Sequence, residues 1–316
     1  MCAFELGITS GQDPVANIDR VCTSQNPRVQ RFLETRERIM SLASPLIDEI
    51  LGFTKERVAR SKENANLRWI EESAQNHRPR GFRKSLAARH AAGPAIIAEL
   101  KKASPSKGIF RSSFPVAVLA DELAKAGAAA LSVVTEERFF HGSLANLLQA
   151  SMVTGLPCLC KDFIVEEFQI IEAKAHHADA VLLIMSALTD REFRRFLSFA
   201  GQLGLDVLCE VHDEDELKRA LDGGAQIIGV NSRDLRTFDV SLNRLLEIAA
   251  KIVPAVMRVA ESGISEGAEI RKLHDCGYHA FLIGEALMRS NRPGQKLEQL
   301  LQETGLNSIR MGVEAS

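Results

Sequence analysis

The chain has 316 residues, of which 46% are hydrophobic and 25% are charged, and 39 Lys and Arg against 41 Asp and Glu give a formal net charge of −2. This composition is typical of a globular protein, and it excludes a disordered chain and a small disulfide scaffold. The near-neutral charge argues against a dedicated nucleic-acid-binding protein, and no apolar run approaches the ~18 residues of a membrane span.

Residues 1–44 are predicted to form an N-terminal extension that is partly disordered or helical. Residues 1–10 lack the basic segment followed by an apolar one that marks a signal peptide, so we expect a cytoplasmic protein. Ser44 before Pro45, with Asp48 and Glu49 in the next turn, predicts the start of a helix. Its apolar face could cover one end of the domain that follows.

A stretch of basic residues and a pair of cysteines are interpreted as structural rather than functional. The basic stretch over residues 78–90 is interpreted as a solvated helix face. Cys158 and Cys160 have no second pair or nearby histidine at ligand spacing, so we interpret them as buried reduced thiols rather than zinc ligands.

From Pro94 onward, short apolar runs alternate with amphipathic segments, which is typical of repeated βα units. The runs are almost continuously apolar, as expected for parallel strands that carry helices outside and a packed core inside. Eight such units over about 200 residues predict an α/β fold, a (β/α)8 TIM barrel within residues 45–316 that includes the N-terminal capping helix. The runs are residues 95–101, 130–135, 157–161, 178–185, 206–210, 226–231, 257–261 and 280–284.

Local signals support the intervening helices. Thr189 with Glu192, and Asp213 with Glu216, have the spacing of capping boxes that satisfy the first amides of a helix. A glycine before the next run is expected to end a helix in the left-handed conformation. These glycines are Gly127, Gly155, Gly204, Gly223 and Gly277.

Polar residues recur where the apolar runs end. Side chains alternate faces along a strand, so Glu99 and Lys101 point the same way. If that direction is into the barrel, these and four similar residues converge at its catalytic end, where the active sites of this fold lie. Buried charges that serve no purpose are costly, which favours a functional site over chance strand-end charges. The other four residues are Lys161, Glu210, Asn231 and Glu261.

Glycine turns follow the seventh and eighth runs, at residues 261–264 and 282–285. In barrels of this kind, the loops after strands seven and eight often bind a phosphate through exposed amides. No serine nucleophile elbow, P-loop or dinucleotide fingerprint is present, and the histidines show no shared metal spacing. We therefore expect neither a cofactor nor a metal.

The segment IAELKKASPSKG at residues 97–108 closely resembles the first-strand signature of the indole-3-glycerol phosphate synthase family. Six further motifs follow in the family's order, and the resemblance covers roughly residues 45–301. They are TEERFFHGS from Thr135, CKDFI from Cys160, CEVH from Cys209, GVNSRDL from Gly229, AESGI from Ala260 and LIGEALM from Leu282. The sequence departs from the family at His141, where an amide residue is more frequent.

The resemblance implies ring closure of 1-(2-carboxyphenylamino)-1-deoxyribulose 5-phosphate to indole-3-glycerol phosphate, with loss of carbon dioxide and water, in tryptophan biosynthesis. It implies that Lys161 is the general acid on the ketone oxygen and that Glu210 is the base for dehydration. Lys101, paired with Glu99, would hold anionic groups of the substrate or share the acid role. Asn231 and Glu261 would position the ribulose hydroxyls.

The remaining implied contacts are with the substrate's anionic and aromatic parts. Ser104 and Phe140 are implied to bind substrate, and Arg233 to face the benzoate carboxylate. The phosphate would be held by Ser262, Gly263, Gly284 and Glu285. The expected partner is this small phosphorylated molecule, with no nucleic acid or membrane, and we expect a monomer or weak homo-oligomer.

Two alternatives remain open at this point. One is a Schiff-base barrel, in which Lys101 or Lys161 attacks a sugar-phosphate carbonyl. The other is a binding or scaffold protein that uses the basic stretch and the N-terminal extension. The second is disfavoured, because a scaffold gains nothing from six polar residues at one rim.

Overall fold

The computed structural model describes residues 27–233 and 240–306, and side chains from residue 46 onward. Eight parallel strands pair in sequence order, and the eighth pairs with the first to close a barrel. The predicted (β/α)8 barrel is therefore confirmed, and every strand lies within two residues of its predicted bounds. The strands are β1 (Ala95–Leu100), β2 (Ala130–Val134), β3 (Cys158–Lys161), β4 (Ala180–Ile184), β5 (Asp206–Val211), β6 (Ile227–Asn231), β7 (Met257–Glu261) and β8 (Ala280–Ile283).

Three helices precede the barrel: α1 (Pro27–Asn64), α2 (Leu67–Asn76) and α3 (Phe82–His90). One helix then follows each strand, with a further helix at the end. These are α4 (Val116–Lys125), α5 (Leu144–Val153), α6 (Glu167–Ala175), α7 (Asp190–Gln202), α8 (Glu214–Asp222), α9 (Leu242–Ala249), α10 (Gly267–Asp275), α11 (Glu285–Arg289) and α12 (Pro293–Glu303). No helix in the described part of the chain is long and apolar enough to cross a membrane.

The predicted helix ends are confirmed in part. Thr189 and Glu192 form the complete capping box, whereas Glu216 turns back to the amide of His212 and leaves the box of Asp213 half made. Left-handed glycines end α4, α7 and α10, as predicted. The prediction is wrong at Gly223, because its neighbour Gly224 takes the left-handed position, and at Gly155, because α5 already ends in extended backbone at Thr154.

Two apolar layers surround the strands. Residues facing outward pack against the helices, and among them are the free thiols of Cys158, Cys160 and Cys209, whose burial was predicted. Residues facing inward fill the barrel, where Phe82 and Leu86 of α3 close its amino-terminal end. The inner layer includes Ile97, Leu159, Leu208 and Val259. Two positions further along these strands stand Glu99, Lys161, Glu210 and Glu261, so alternation carries them to the carboxyl-terminal mouth.

Helix α1 corrects one sequence prediction. It runs without a break through Pro45, so the helix start predicted at Ser44 is wrong; the helix instead begins at another proline, Pro27. A proline marks a start only where the preceding residues are not already helical. The buried face of α1 contacts Phe139 and Asp162, which follow β2 and β3, so the helix covers the mouth side of the barrel.

The basic stretch after α2 is also different from its prediction as a solvated face. Arg80 forms an ion pair with Asp179, which is fully buried beneath β4, and Arg83 donates its amide to Asp206 and its guanidinium to Gln226. These two side chains tie the segment to the amino-terminal end of the barrel, whereas Arg78 and Lys84 of the same stretch are exposed, as predicted. The prediction of a solvated face is therefore confirmed only in part.

Candidate active site

A cavity of about 370 Å³ opens at the carboxyl-terminal ends of the barrel strands. All the residues predicted for the site line it, which confirms that they converge without testing what each does. The six predicted catalytic residues are Glu99, Lys101, Lys161, Glu210, Asn231 and Glu261. The others are Ser104, Phe140, Arg233, Ser262, Gly263, Gly284 and Glu285.

Lys161, at the end of β3, lies at the centre of the ionic groups. Its Nζ donates to Glu210 Oε2 at 2.9 Å and to Glu261 Oε2 at 3.2 Å. Both carboxylates are almost completely buried, and the lysine side chain is 18% exposed. One cation therefore bridges two strands, β5 and β7, from a third.

Burial lowers the pKa of the Lys161 amine, but the charges of Glu210, Glu261 and Glu99 outweigh that effect and raise the pKa above its ordinary value. The amine is consequently protonated near neutral pH. In this protonated form the amine is not a nucleophile, because Schiff-base formation requires the neutral amine. This geometry favours the acid role over the Schiff-base alternative at Lys161.

The two carboxylates bound to Lys161 differ in their electrostatics. Burial raises the pKa of Glu210, but Lys161, His212 and the amide of Asn231, which donates to Glu210 Oε1 at 3.0 Å, hold that pKa well below its usual range. Burial also raises the pKa of Glu261, and there Lys161 offsets the rise only partly. One carboxylate is thus held ionised while its neighbour takes up a proton more easily, which is the separation needed for acid and base roles.

A second ion pair lies across the cavity, where Lys101 Nζ is 2.5 Å from Glu99 Oε2. The other carboxylate oxygen of Glu99, and likewise Glu261 Oε1, is buried with no hydrogen-bond partner among the described residues. Unpaired buried oxygens are costly unless a ligand supplies donors. Both residues line the cavity, but these two oxygens are themselves closed off from it, and Glu261 Oε1 lies against Gly229 of β6.

The turns after β7 and β8 form the wall near Gly284. Ser262 and Gly263 both have positive φ, 67° and 74°, which bends the backbone directly after Glu261. Gly284 precedes α11, whose first residue is Glu285. The Glu285 carboxylate lies 3.0 Å from Arg289 Nε and 3.8 Å from Arg233, so two cations stand beside these turns.

Part of the lining is apolar. Phe140 and Phe163, whose ring centres are 6.3 Å apart, belong to it with Leu182 and Ile184 of β4, whereas the Phe110 ring lies beside Arg289, 4.9 Å from the guanidinium carbon. Lys101 Nζ lies 5.7 Å from the centre of the Phe110 ring, and Ser104 stands on a short hairpin, Ala103–Ser104 with Gly108–Ile109, that borders the opening. The cavity therefore combines an aromatic surface, a central acid–base cluster and a cationic rim.

The model of the indole-3-glycerol phosphate synthase family matches residues 47–300. The chain belongs to this family. It is 52% identical over 258 residues to the indole-3-glycerol phosphate synthase of Koribacter versatilis, a match that spans 82% of this chain and 99% of that protein. It is 42% identical over 259 residues to the enzyme of the same description from a Polaromonas species, spanning 81% and 98%.

Solved structures of lower identity show the fold alone. A mandelate oxidase variant aligns with a TM-score of 0.54 at 19% identity, covering 68% of this chain and 74% of that one. Thiamine phosphate pyrophosphorylase from Pyrococcus furiosus aligns with a TM-score of 0.52 at 17% identity, covering 69% and 98%. These similarities agree with the barrel and say nothing about the reaction.

Three residues near this synthase site were not identified from the sequence. Glu136 accepts the amides of Arg138, Phe139 and Phe140, and so shapes the loop that carries Phe140. Asp162 points away from the cluster to Arg57 of α1, and His212 stands behind Glu210. Their position just after strand ends was the available signal, but their partners did not follow from it: Asp162 binds a residue of a distant segment, and Glu136 and His212 bind groups of the turns that follow their strands. Among the described residues, no three His, Cys, Asp or Glu side chains are grouped so that they could hold a metal ion.

Proposed function

We propose that this chain catalyses the reaction of its family, the closure of 1-(2-carboxyphenylamino)-1-deoxyribulose 5-phosphate to indole-3-glycerol phosphate. The observation that carries the proposal is the ammonium of Lys161 held between the carboxylates of Glu210 and Glu261 inside the cavity. The reaction needs a proton at the ketone oxygen and a base for the later loss of water. Both are present within one cluster.

In the first step, a carbon of the aryl ring attacks the ketone carbon, and the ketone oxygen takes a proton from Lys161. The resulting iminium accepts the electron pair released when the carbon–carboxylate bond breaks and carbon dioxide leaves. Glu210 then removes a proton from the ring carbon next to nitrogen while the C–O bond of the new hydroxyl breaks, and the oxygen leaves as water with a proton from Lys101, the second lysine of the cavity. The chain supplies proton transfers and charge stabilisation, and the substrate itself is the electron sink.

Binding is assigned to the surrounding walls. The hydroxyls of the ribulose chain would be positioned by Asn231 and Glu261. The phosphate would be held by Ser262 and by the amides of Gly263, Gly284 and Glu285. Lys101 would bind a further anionic group of the substrate. Ser104, Phe140 and Arg233 would contact the aryl part and its carboxylate. We also propose a cytoplasmic protein that is monomeric or weakly self-associated and binds no nucleic acid.

The test is the growth of indole fluorescence when purified protein meets the substrate in the presence of a chelator. Saturable turnover is expected, because the proposed steps need only side chains. Absence of turnover in folded protein would overturn the proposal. Borohydride added with substrate would then test for a covalent adduct on lysine, which the proposed mechanism does not form.

The assigned roles are tested with Lys161→Ala and Glu210→Gln. Each is expected to lower kcat by about 100-fold or more, the size of effect typical of a lost general acid or base. Lys125→Ala and Glu298→Gln, both exposed and outside the cavity, are the matched controls and should keep the original rate. A near-normal rate in either active-site variant would contradict the role given to that residue.

A further inference from the structure

His212 follows β5 directly and is 8% exposed, and it does not belong to the described lining of the cavity. Its imidazole lies between two carboxylates. Nε2 is 3.3 Å from Glu210 Oε1, and Nδ1 is 3.0 Å from Glu216 Oε2 in the first turn of α8. The same oxygen of Glu216 accepts the backbone amide of His212 at 2.8 Å. The ring is thus fixed from the helix side and faces Glu210 with its other nitrogen.

The charged groups around this ring come from three elements. Glu210 and Glu216 contact it from β5 and α8, and Lys161 of β3 holds the far oxygen of Glu210. Burial lowers the pKa of His212, but the two carboxylates outweigh burial and raise the pKa to about 10. Both ring nitrogens therefore carry protons near neutral pH, and each has a carboxylate to face.

The two oxygens of Glu210 consequently have separate surroundings. Oε1 faces His212 and Asn231, and Oε2 faces Lys161. A carboxylate can rotate about its last bond, so donors on one oxygen determine where the other oxygen points. Asn231 donates such a hydrogen bond to Oε1, and His212 Nε2, 3.3 Å from the same oxygen but outside hydrogen-bond geometry, adds a positive charge there.

We propose that His212 is a positioning residue for the synthase reaction, which orients Glu210 from behind while Glu216 fixes the imidazole. The inference rests on the proposed role of Glu210 as the base. It assigns to the His212–Glu216 pair an effect on turnover rather than on substrate binding, because neither side chain lines the cavity. It also gives the two ring nitrogens different roles. The contact of Nδ1 with Glu216 stabilises the fold, whereas Nε2 acts on Glu210 and so on catalysis.

Two amide variants separate these functions. In His212→Asn, the side-chain nitrogen stands near the position of Nδ1 and keeps the contact with Glu216. In His212→Gln, the nitrogen stands near the position of Nε2 and keeps an uncharged donor toward Glu210. We would measure kcat, KM, the pH profile of kcat and the melting temperature of both variants, with Glu210→Gln alongside.

We expect His212→Asn to keep its melting temperature and lose about 10- to 100-fold in kcat with little change in KM, as for a displaced catalytic group. His212→Gln should melt earlier but retain more of kcat. In both variants the acid limb of the pH profile should move to higher pH, because the positive charge that lowers the pKa of Glu210 is gone. If kcat follows the melting temperature in both variants and the acid limb does not move, His212 is only structural and the inference is wrong. A near-normal rate in Glu210→Gln would instead contradict the proposed role of Glu210.

Discussion

At the scale of single residues, two glycines give the buried carboxylates of the cavity their space. Gly229 of β6 stands beside Glu261, and a Cβ built on it would overlap Glu261 Oε1 and lie 3.1 Å from Leu208 Cδ1. Gly284 stands beside Glu99 in the same way, and a Cβ there would overlap Glu99 Oε2. The absence of a side chain at these positions is therefore part of the site, because no other residue would leave the carboxylates where they are.

Gly229→Ala is expected to move the Glu261 carboxylate away from Lys161. Because catalytic groups must be held within a fraction of an ångström, we expect kcat to fall about 100-fold, with a modest loss of stability. Steady-state kinetics of the folded variant measure this. The matched control is Gly201→Ala on α7, where nothing lies within 4 Å of the new Cβ. The control should keep its rate and gain up to about 1 kcal/mol of helix stability. A normal kcat in Gly229→Ala would show that Glu261 can move without consequence.

At the scale of elements, Asp179 connects the segment before α3 to two strands. This fully buried carboxylate accepts the amides of Arg80 and Cys158, both at 2.7 Å, and the guanidinium of Arg80. His77 Nε2 lies 3.4 Å away. Burial raises the pKa of Asp179, but the contacts with His77 and Arg80 outweigh burial and lower the pKa below its ordinary value. The carboxylate therefore stabilises the fold in its ionised form.

Asp179→Asn is expected to lower the free energy of unfolding by about 3 kcal/mol, because it leaves Arg80 without its buried counter-charge. The stabilisation from Asp179 is present above its unfolded-state pKa of 3.8 and is lost as the pH falls below that value. Urea unfolding should thus show a constant difference between wild type and variant near neutral pH and a smaller one in acid. Asp121→Asn, at an exposed ion pair on α4, is the control and should change little. The rate of folded Asp179→Asn should be unchanged, because Asp179 lies at the end opposite the cavity; a lost rate would contradict this separation.

The elements show which parts of the fold could be predicted from the sequence. Strand positions follow from apolar runs, and the inward direction of Glu99, Lys161, Glu210 and Glu261 follows from alternation, so the composition of the cluster was predictable. The contact of Asp162 was not, because its partner Arg57 is distant in the chain and only the fold brings the two together. The partners of His212, Glu210 and Glu216, are near it in the chain, but alternation alone does not show that the turn between β5 and α8 places the imidazole between them. The start of α1 was predicted at Ser44 because a serine followed by a proline is typical of the first residues of a helix. The helix begins at Pro27 and runs through both residues, so this local pattern was misleading.

At the scale of the whole molecule, the barrel separates stability from chemistry by its two ends. Phe82, Leu86 and the Asp179 cluster close the amino-terminal end, while the ionic cluster and its glycines occupy the other. Helix α1 lies outside the barrel strands, on the side of the mouth. Its Arg57 donates to Asp162 at 2.9 Å, and Asp162 follows Lys161 directly in the chain. The N-terminal helix is thereby connected to the end of β3 that carries the proposed acid.

Arg57→Ala tests this connection. The side chains of Arg57 and Asp162 are 10% and 5% exposed. Of the donors to Asp162 among the described residues, the variant leaves the Thr135 hydroxyl and the Phe163 amide. An uncompensated buried carboxylate is costly, so we expect α1 to detach locally and Lys161 to lose its fixed position. Hydrogen exchange over residues 46–64 should become faster, and kcat should fall about 10-fold.

The control is Arg60→Ala, at an exposed position on the same helix, which should change neither the hydrogen exchange of residues 46–64 nor kcat. The comparison separates the charge from the apolar contacts of α1, because both variants keep Ile50 and Val58 buried against the barrel. If Arg57→Ala has the hydrogen-exchange rate and the kcat of the wild type, the apolar contacts alone hold the helix. If exchange rises while kcat is unchanged, the helix is held by Arg57 but does not position Lys161. Faster exchange together with a lower kcat would show that a segment outside the eight βα units controls a side chain inside the barrel.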